Sequence, residues 1–237
     1  SLTRGGYIKR VFPSAYKTQK RGGKGIIGME TKGEDVVEHF IACSTHDRLL
    51  FFTAQGKVYQ TLAYEIPKST RIGRGRALVN FLDLERDDFV TAILSLETSD
   101  ENSASKPKFL IMATKHGIIK KTSIEDFKNV RRSGLLAIHL KSGDVLRWVG
   151  ISYGKDEVML TTSGGKAIKF KESDVREMGR TAGGVSGIRL SKNDEVIGVD
   201  VIKKSTEKGA FLTMSANGFG KKTDLKEYKV QKRGGSG

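Results

Sequence analysis

In this chain of 237 residues, the residues best suited to metal binding or nucleophilic chemistry are four histidines (His39, His46, His116 and His139) and one cysteine, Cys43. Their spacing matches no metal-ligand pattern. Ser44-Thr45-His46-Asp47 sets nucleophile, base and acid types side by side. Consecutive residues cannot all face one another, so this stretch reads as a turn. Gly22-Gly23-Lys24-Gly25 and Gly164-Gly165-Lys166-Ala167 are similar to phosphate-binding loops. Neither has the Ser or Thr after Lys that would hold magnesium, and neither opens a helix. Their backbone N–H groups still suit an isolated phosphate. The expectation is a chain without a catalytic site, a metal site or a cofactor of its own.

The chemistry that remains is charge. Lys and Arg number 42 against 27 Asp and Glu, a net charge of +15 that attracts polyanions such as nucleic acid or an acidic membrane face. No run approaches the roughly 18 apolar residues a spanning helix needs, so membrane insertion is not expected. A lone cysteine fits a reducing cytoplasm. The charges are sorted along the chain. Ser1 to Gly25 holds seven basic residues and no acidic one, whereas Ile26 to Asp47 holds one against five. Gly56 to Arg76 then carries five basic and one acidic, and Ala77 to Glu101 one and seven.

The cationic zones contain recurring features. Basic doublets stand at Lys9-Arg10, Lys120-Lys121 and Lys221-Lys222, with Lys169 alone in a fourth zone. Arginines stand at Arg21, Arg71, Arg180 and Arg233, with Arg131 and Arg132 displaced in the third zone. Arg74, Arg76, Lys166 and Lys232 lie nearby. All are candidate phosphate contacts. The alternative is a solvated face, but solubility requires no such phasing. Phe51, Phe52, Phe109 and Phe211 fall in strand positions, which leaves few aromatics to stack an unpaired strand. No recognition helix is in evidence, so the pattern favours duplex held by its phosphates.

The elements that would position these charges form a repeat. Thr or Ser, two residues, then Gly recurs at Thr3–Gly6, Thr53–Gly56, Thr114–Gly117, Thr162–Gly165 and Ser215–Gly218. Apolar strands such as Phe109-Leu110-Ile111-Met112 lead into it, as expected for a hairpin. A second glycine follows at Gly25, Gly75, Gly134, Gly184 and Gly237, and an acidic turn at Asp35, Asp88, Asp144 and Asp194. Units of about 50 residues with three to four short strands are the signature of a propeller-like array. A β-sandwich with coincidentally similar turns is the alternative. The expectation is one all-β domain over residues 1–237, cut within its fifth repeat.

One stretch sets the first repeat apart: Gln19-Lys20-Arg21-Gly22-Gly23-Lys24-Gly25. It resembles the hallmark heptapeptide of the C-terminal domain of the DNA gyrase A subunit. Gly6-Tyr7-Ile8-Lys9-Arg10, Tyr64-Glu65-Ile66-Pro67, Gly75-Arg76-Ala77-Leu78-Val79-Asn80 and Lys171-Glu172-Ser173-Asp174-Val175-Arg176 are similar to other segments of that domain. The resemblance implies a β-pinwheel of five to six four-stranded blades that exchange strands and bend duplex DNA around a basic rim. It further implies a bacterial cytoplasmic partner complex: the rest of the gyrase A subunit with the gyrase B subunit, in which ATP and Mg2+ serve chemistry outside this chain. Gln231-Lys232-Arg233-Gly234-Gly235-Ser236-Gly237 repeats the box with Ser236 in place of a lysine. The corresponding domain of topoisomerase IV, which typically lacks an intact box, and a scaffold propeller for acidic proteins are the rival readings.

Overall fold

The computed structural model describes residues 1–16, 20, 25–31, 33–97, 106–206 and 209–237. Among them there is no α-helix; seventeen short strands are joined by turns and single 3-10 turns of three or four residues. The chain divides into two compact units, one of residues 1–100 with 129–137, the other of 101–128 with 138–237.

The first unit holds two antiparallel four-stranded sheets. One contains, in spatial order, β3 (Val37–His39), β1 (Leu2–Thr3), β2 (Tyr7–Ile8) and β6 (Arg76–Ala77). The other contains β7 (Val90–Leu96), β4 (Arg48–Thr53), β5 (Lys57–Leu62) and β10 (Leu135–Leu136). The second unit holds β11 (Leu146–Ser152), β8 (Phe109–Thr114), β9 (Ile118–Ser123) and β14 (Val185–Ser186) in one sheet. It adds a three-stranded sheet of β13 (Ala167–Lys171), β12 (Glu157–Thr162) and β15 (Val196–Ile202), and the hairpin β16 (Ala210–Met214) with β17 (Gly220–Asp224).

The outermost strand of each four-stranded sheet comes from the following repeat. β6 pairs with β2, β10 with β5, and β14 with β9. Just beyond each donated strand, a backbone N–H donates to the carbonyl of a hairpin glycine: Leu78 to Gly6 at 2.7 Å, Ala137 to Gly56 at 2.8 Å, Gly187 to Gly117 at 2.8 Å. Central strands are apolar on both faces, as a short continuous apolar run predicts. Leu50, Phe51 and Phe52 in β4 are fully buried, as are Leu110 and Met112 in β8. Leu2, Leu49, Phe51, Tyr59 and Leu78 anchor the core of the first unit; Ile111, Leu160, Ile168, Phe170 and Val196 anchor that of the second.

The hairpin signature has a local physical cause. In each repeat the Thr or Ser carbonyl accepts from the glycine N–H, for example Gly56 N to Thr53 O at 2.9 Å. Its hydroxyl accepts from the residue after the glycine, as in Tyr7 N to Thr3 Oγ1 at 3.1 Å and Phe219 N to Ser215 Oγ at 3.2 Å. The acidic turn closes the same loop from the other side. Asp35 accepts from Gly5 N (2.7 Å), Asp88 from Gln55 N (3.2 Å), Asp144 from His116 N (3.0 Å) and Asp194 from Gly164 N (2.8 Å). The ten landmark glycines all have φ between 77° and 87°, the left-handed region.

The strands after the second glycine are only two residues long, because pairing is confined to the neighbouring hairpin's edge. The aromatics are also less uniformly buried than expected. Phe51 and Phe52 are buried, but Phe109 and Phe211 are half-buried, and Phe12, Phe40 and Phe219 are exposed.

Candidate nucleic-acid interface

Of the heptapeptide, Gln19, Arg21, Gly22, Gly23 and Lys24 lie outside the described residues. Lys20 is exposed, and Gly25 adopts a φ of 77° at an exposed turn. The flanks of the box are anchored. Tyr16 Oη donates to Gly28 O at 3.4 Å and its ring meets Phe40 edge-on at 5.4 Å. Beyond the box, Glu30 N donates to Ile72 O at 2.8 Å, and the Arg71 guanidinium donates to Ile27 O.

Lys9 completes this anchorage. Its Nζ donates to Gly28 O (2.9 Å), Thr70 O (3.2 Å), Gly73 O (2.8 Å) and the Arg71 carbonyl, with its side chain 1% exposed. The expectation that Lys9 meets a phosphate is therefore corrected: its ammonium is spent on carbonyls. The same holds for the other repeats. Lys120 is fully buried and donates to Arg180 O; Lys121 donates to Glu172 O at 3.1 Å; Lys169 donates to Leu225 O at 3.1 Å and pairs with Glu157 at 3.2 Å. Arg10 occupies the position equivalent to Lys121 and Lys169. Its Nε donates to Ile66 O at 3.1 Å, beside the 3-10 turn Ala63–Glu65. The doublets thus tie one repeat to the carbonyls of the next, since a buried ammonium needs several acceptors to replace its water. Lys221 and Lys222 stand at the same two positions and are exposed, no following connection among the described residues covering them.

Four arginines of the connections, Arg71, Arg74, Arg180 and Arg233, are half-buried rather than free. Arg74 lies over the Tyr7 ring at 3.7 Å, and Arg180 lends its carbonyl to Lys120. In the second copy of the box, Arg233 donates from Nε to Asp174 O at 2.8 Å and from Nη1 to Ser186 O at 3.0 Å. Gln231 N donates to Lys169 O and Gly234 N to Gly187 O, both at 2.7 Å. That segment is a tight connection in which Arg233, Gly234 and Gly235 are half-buried and Lys232 is exposed. Lys166 reaches Ser191 Oγ at 3.2 Å. Exposed are Lys20, Arg76, Arg131, Arg132 and Lys232, with Lys221 and Lys222. Arg132 has Asp83 at 3.9 Å, but both side chains are solvated and the pair contributes little.

Burial, reinforced by the Arg180 charge and opposed by Asp126, lowers the Lys120 pKa to about 8. At Asp194 the Gly164 N–H, then the Ser163 hydroxyl, hold the carboxyl below its ordinary range against partial desolvation. Ser44–Asp47 is a turn, with Asp47 Oδ2 accepting from Ser44 N (2.9 Å) and Ser95 Oγ (2.8 Å). Among the described residues no three His, Cys, Asp or Glu side chains form a metal-sized group. Exposed lysines at or just past the strand ends, Lys171, Lys203, Lys204 and Lys226, do not stand out in the sequence. Interspersed carboxylates at Glu172, Asp174 and Asp224 mask them there.

A family model for the DNA gyrase C-terminal domain, a β-propeller, matches residues 1–44, 47–97, 108–152, 156–203 and 210–237, one segment for each repeat. The A subunit of DNA gyrase from Staphylococcus epidermidis is 38% identical over all 237 residues, and that from Staphylococcus aureus likewise. The chain spans 26% of the length of these relatives. A solved DNA gyrase A C-terminal domain superposes with a TM-score of 0.80 at 27% identity, covering all of this chain and 74% of that one. The C-terminal domain of a DNA topoisomerase IV gives 0.77 at 26%, covering all of this chain and 70% of that one.

Proposed function

The chain belongs to the DNA gyrase C-terminal domain family, and from that premise we propose that it binds duplex DNA by its phosphates, with little sequence preference, and bends it. The observation that carries this reading is a net charge of +15 with exposed cations at Arg76, Arg131, Arg132 and Lys232 on the connections between hairpins. Within a full-length bacterial gyrase, built from paired A and B subunits, the bent segment would be passed to a core that uses ATP and Mg2+. Negative supercoiling at the nucleoid is the resulting activity. The rival assignment to topoisomerase IV has comparable backbone similarity, but the intact Gln19–Gly25 heptapeptide favours gyrase.

Phosphate-based binding displaces condensed counterions and is steeply salt-dependent. With roughly 6–10 phosphates neutralised, duplex affinity should fall about 10³–10⁵-fold between 50 and 200 mM salt. Fluorescence anisotropy on a short duplex reads this directly. A flat salt response, or a tenfold preference for one sequence over shuffled controls, would overturn the phosphate reading.

A further inference from the structure

At one end of the three-stranded sheet lies a cavity of about 530 Å³. Glu157 opens β12 and pairs with Lys171 on one side and Ile202 on the other, so the strand ends carry Lys171, Lys203 and Lys204 to the same edge. Lys155 and Lys226 complete the lining. Three carboxylates also reach the cavity, and each is engaged within the protein. Asp156 accepts from Tyr153 N (2.8 Å) and Lys204 N (3.2 Å), Glu172 from Gly154 N (3.1 Å) and Asp156 N (3.2 Å), while Glu157 holds Lys169 Nζ (3.2 Å). Asp156 and Glu172 are buried, whereas Lys155, Lys171, Lys203, Lys204 and Lys226 are exposed. Lys226 meets the solvated Asp224 at 3.4 Å, and Lys203 the Tyr153 ring at 4.7 Å.

The first repeat shows that the fold does not require this lining. There a notch of about 390 Å³ is likewise bounded by strand ends and by the first residue of the next 3-10 turn, Ala63 there and Leu225 here. Its lining includes Phe12, Phe40, Ser44 and Thr45, with Arg10 and the buried Lys9 beside them. At the positions where the fourth repeat has Lys171, Lys203, Lys204 and Lys226, the first has Phe12, Ser44, Thr45 and, on the next 3-10 turn, Tyr64, so the lysines answer to something outside the fold. We propose that the lysine notch of the fourth repeat is a phosphate-binding site that takes backbone phosphates of duplex DNA. It replaces the phosphate contact that buried Lys169 cannot make. This rests on the duplex-binding reading above.

The test is duplex affinity against salt for the unaltered chain and for the variant Lys171→Gln, Lys203→Gln, Lys204→Gln, Lys226→Gln. Each phosphate left without its cation flattens the log–log salt slope by about 0.9, so removing two such pairings should reduce it by about 1.8 and weaken binding roughly tenfold or more near 100 mM salt. If the unaltered chain shows no salt-dependent duplex binding, the functional reading itself fails. If it binds, and the variant keeps the same slope with affinity within twofold, the notch alone is overturned. Titration with tripolyphosphate separates the sources. Tight tripolyphosphate binding that leaves duplex affinity untouched would make the notch a site for free polyphosphate and overturn the DNA assignment. Should the fourfold variant melt early, Lys203→Glu carries the same comparison.

Discussion

At the residue scale, the lysines divide by what their ammonium groups touch. Lys9, Lys120, Lys121 and Lys169 serve carbonyls, and each partner lies far along the chain: Lys9 reaches Thr70, 61 residues on, and Lys120 reaches Arg180, 60 residues on. Lys120 gives this a pH signature. Folding lowers its pKa to about 8, whereas in the unfolded chain it stays near the ordinary value of about 10.4. Between those values the unfolded chain holds more protons, so stability gained from this group rises with pH from about 8 to 10. Below about pH 8 the full burial cost is present. The urea midpoint should therefore climb over that window, and Lys120→Met should flatten the climb while leaving short-duplex affinity unchanged. An unaltered slope in the variant would show that another group titrates. A loss of duplex binding would restore Lys120 to the interface.

At the scale of elements, the turns are where sequence and structure agree most closely. Thr-x-x-Gly and the acidic turn were legible because their chemistry is local in form: a hydroxyl, a carboxylate and a left-handed glycine, each tied to its place in one repeat. The roles of the basic doublets were not legible, because the carbonyls that bury them belong to the next repeat. Two glycines with nearly equal φ separate conformation from packing. Gly75 has φ 82°, and a Cβ there would sit 2.4 Å from the Ile8 carbonyl oxygen, on the backbone that β6 must approach. Gly143 has φ 79° with nothing within 4 Å of such an atom. Gly143→Ala should cost about 1 kcal/mol, the left-handed penalty alone. Gly75→Ala should cost at least about 2 kcal/mol more, because backbone cannot move aside as a flexible side chain can. Chemical denaturation of both variants checks this, and equal losses would mean that β6 shifts freely.

For the whole molecule, bending DNA is a separate demand from holding it. Bending 20–30 base pairs by 40–90° costs on the order of 1–6 kcal/mol, which only several spaced contacts can offset. Changing Lys20, Arg21 and Lys24 together to Ala should leave short-duplex affinity within about tenfold, since Arg76, Arg131, Arg132 and Lys232 remain exposed. It should abolish bending, read by end-to-end energy transfer on a long duplex, and supercoiling by the full-length enzyme. An unchanged bend would reduce the box to a turn, and complete loss of short-duplex binding would end the distributed-contact reading. The donation of β6, β10 and β14 to the preceding sheets bears on how such a molecule can be divided. Each four-stranded sheet borrows one edge strand from the next repeat, so a fragment cut at repeat boundaries loses an edge strand at one end and carries an orphaned one at the other. A minimal piece should run from Leu2 through Leu78, keeping the first sheet's borrowed edge, and duplication or grafting of repeats succeeds only where neighbours accept each other's strands.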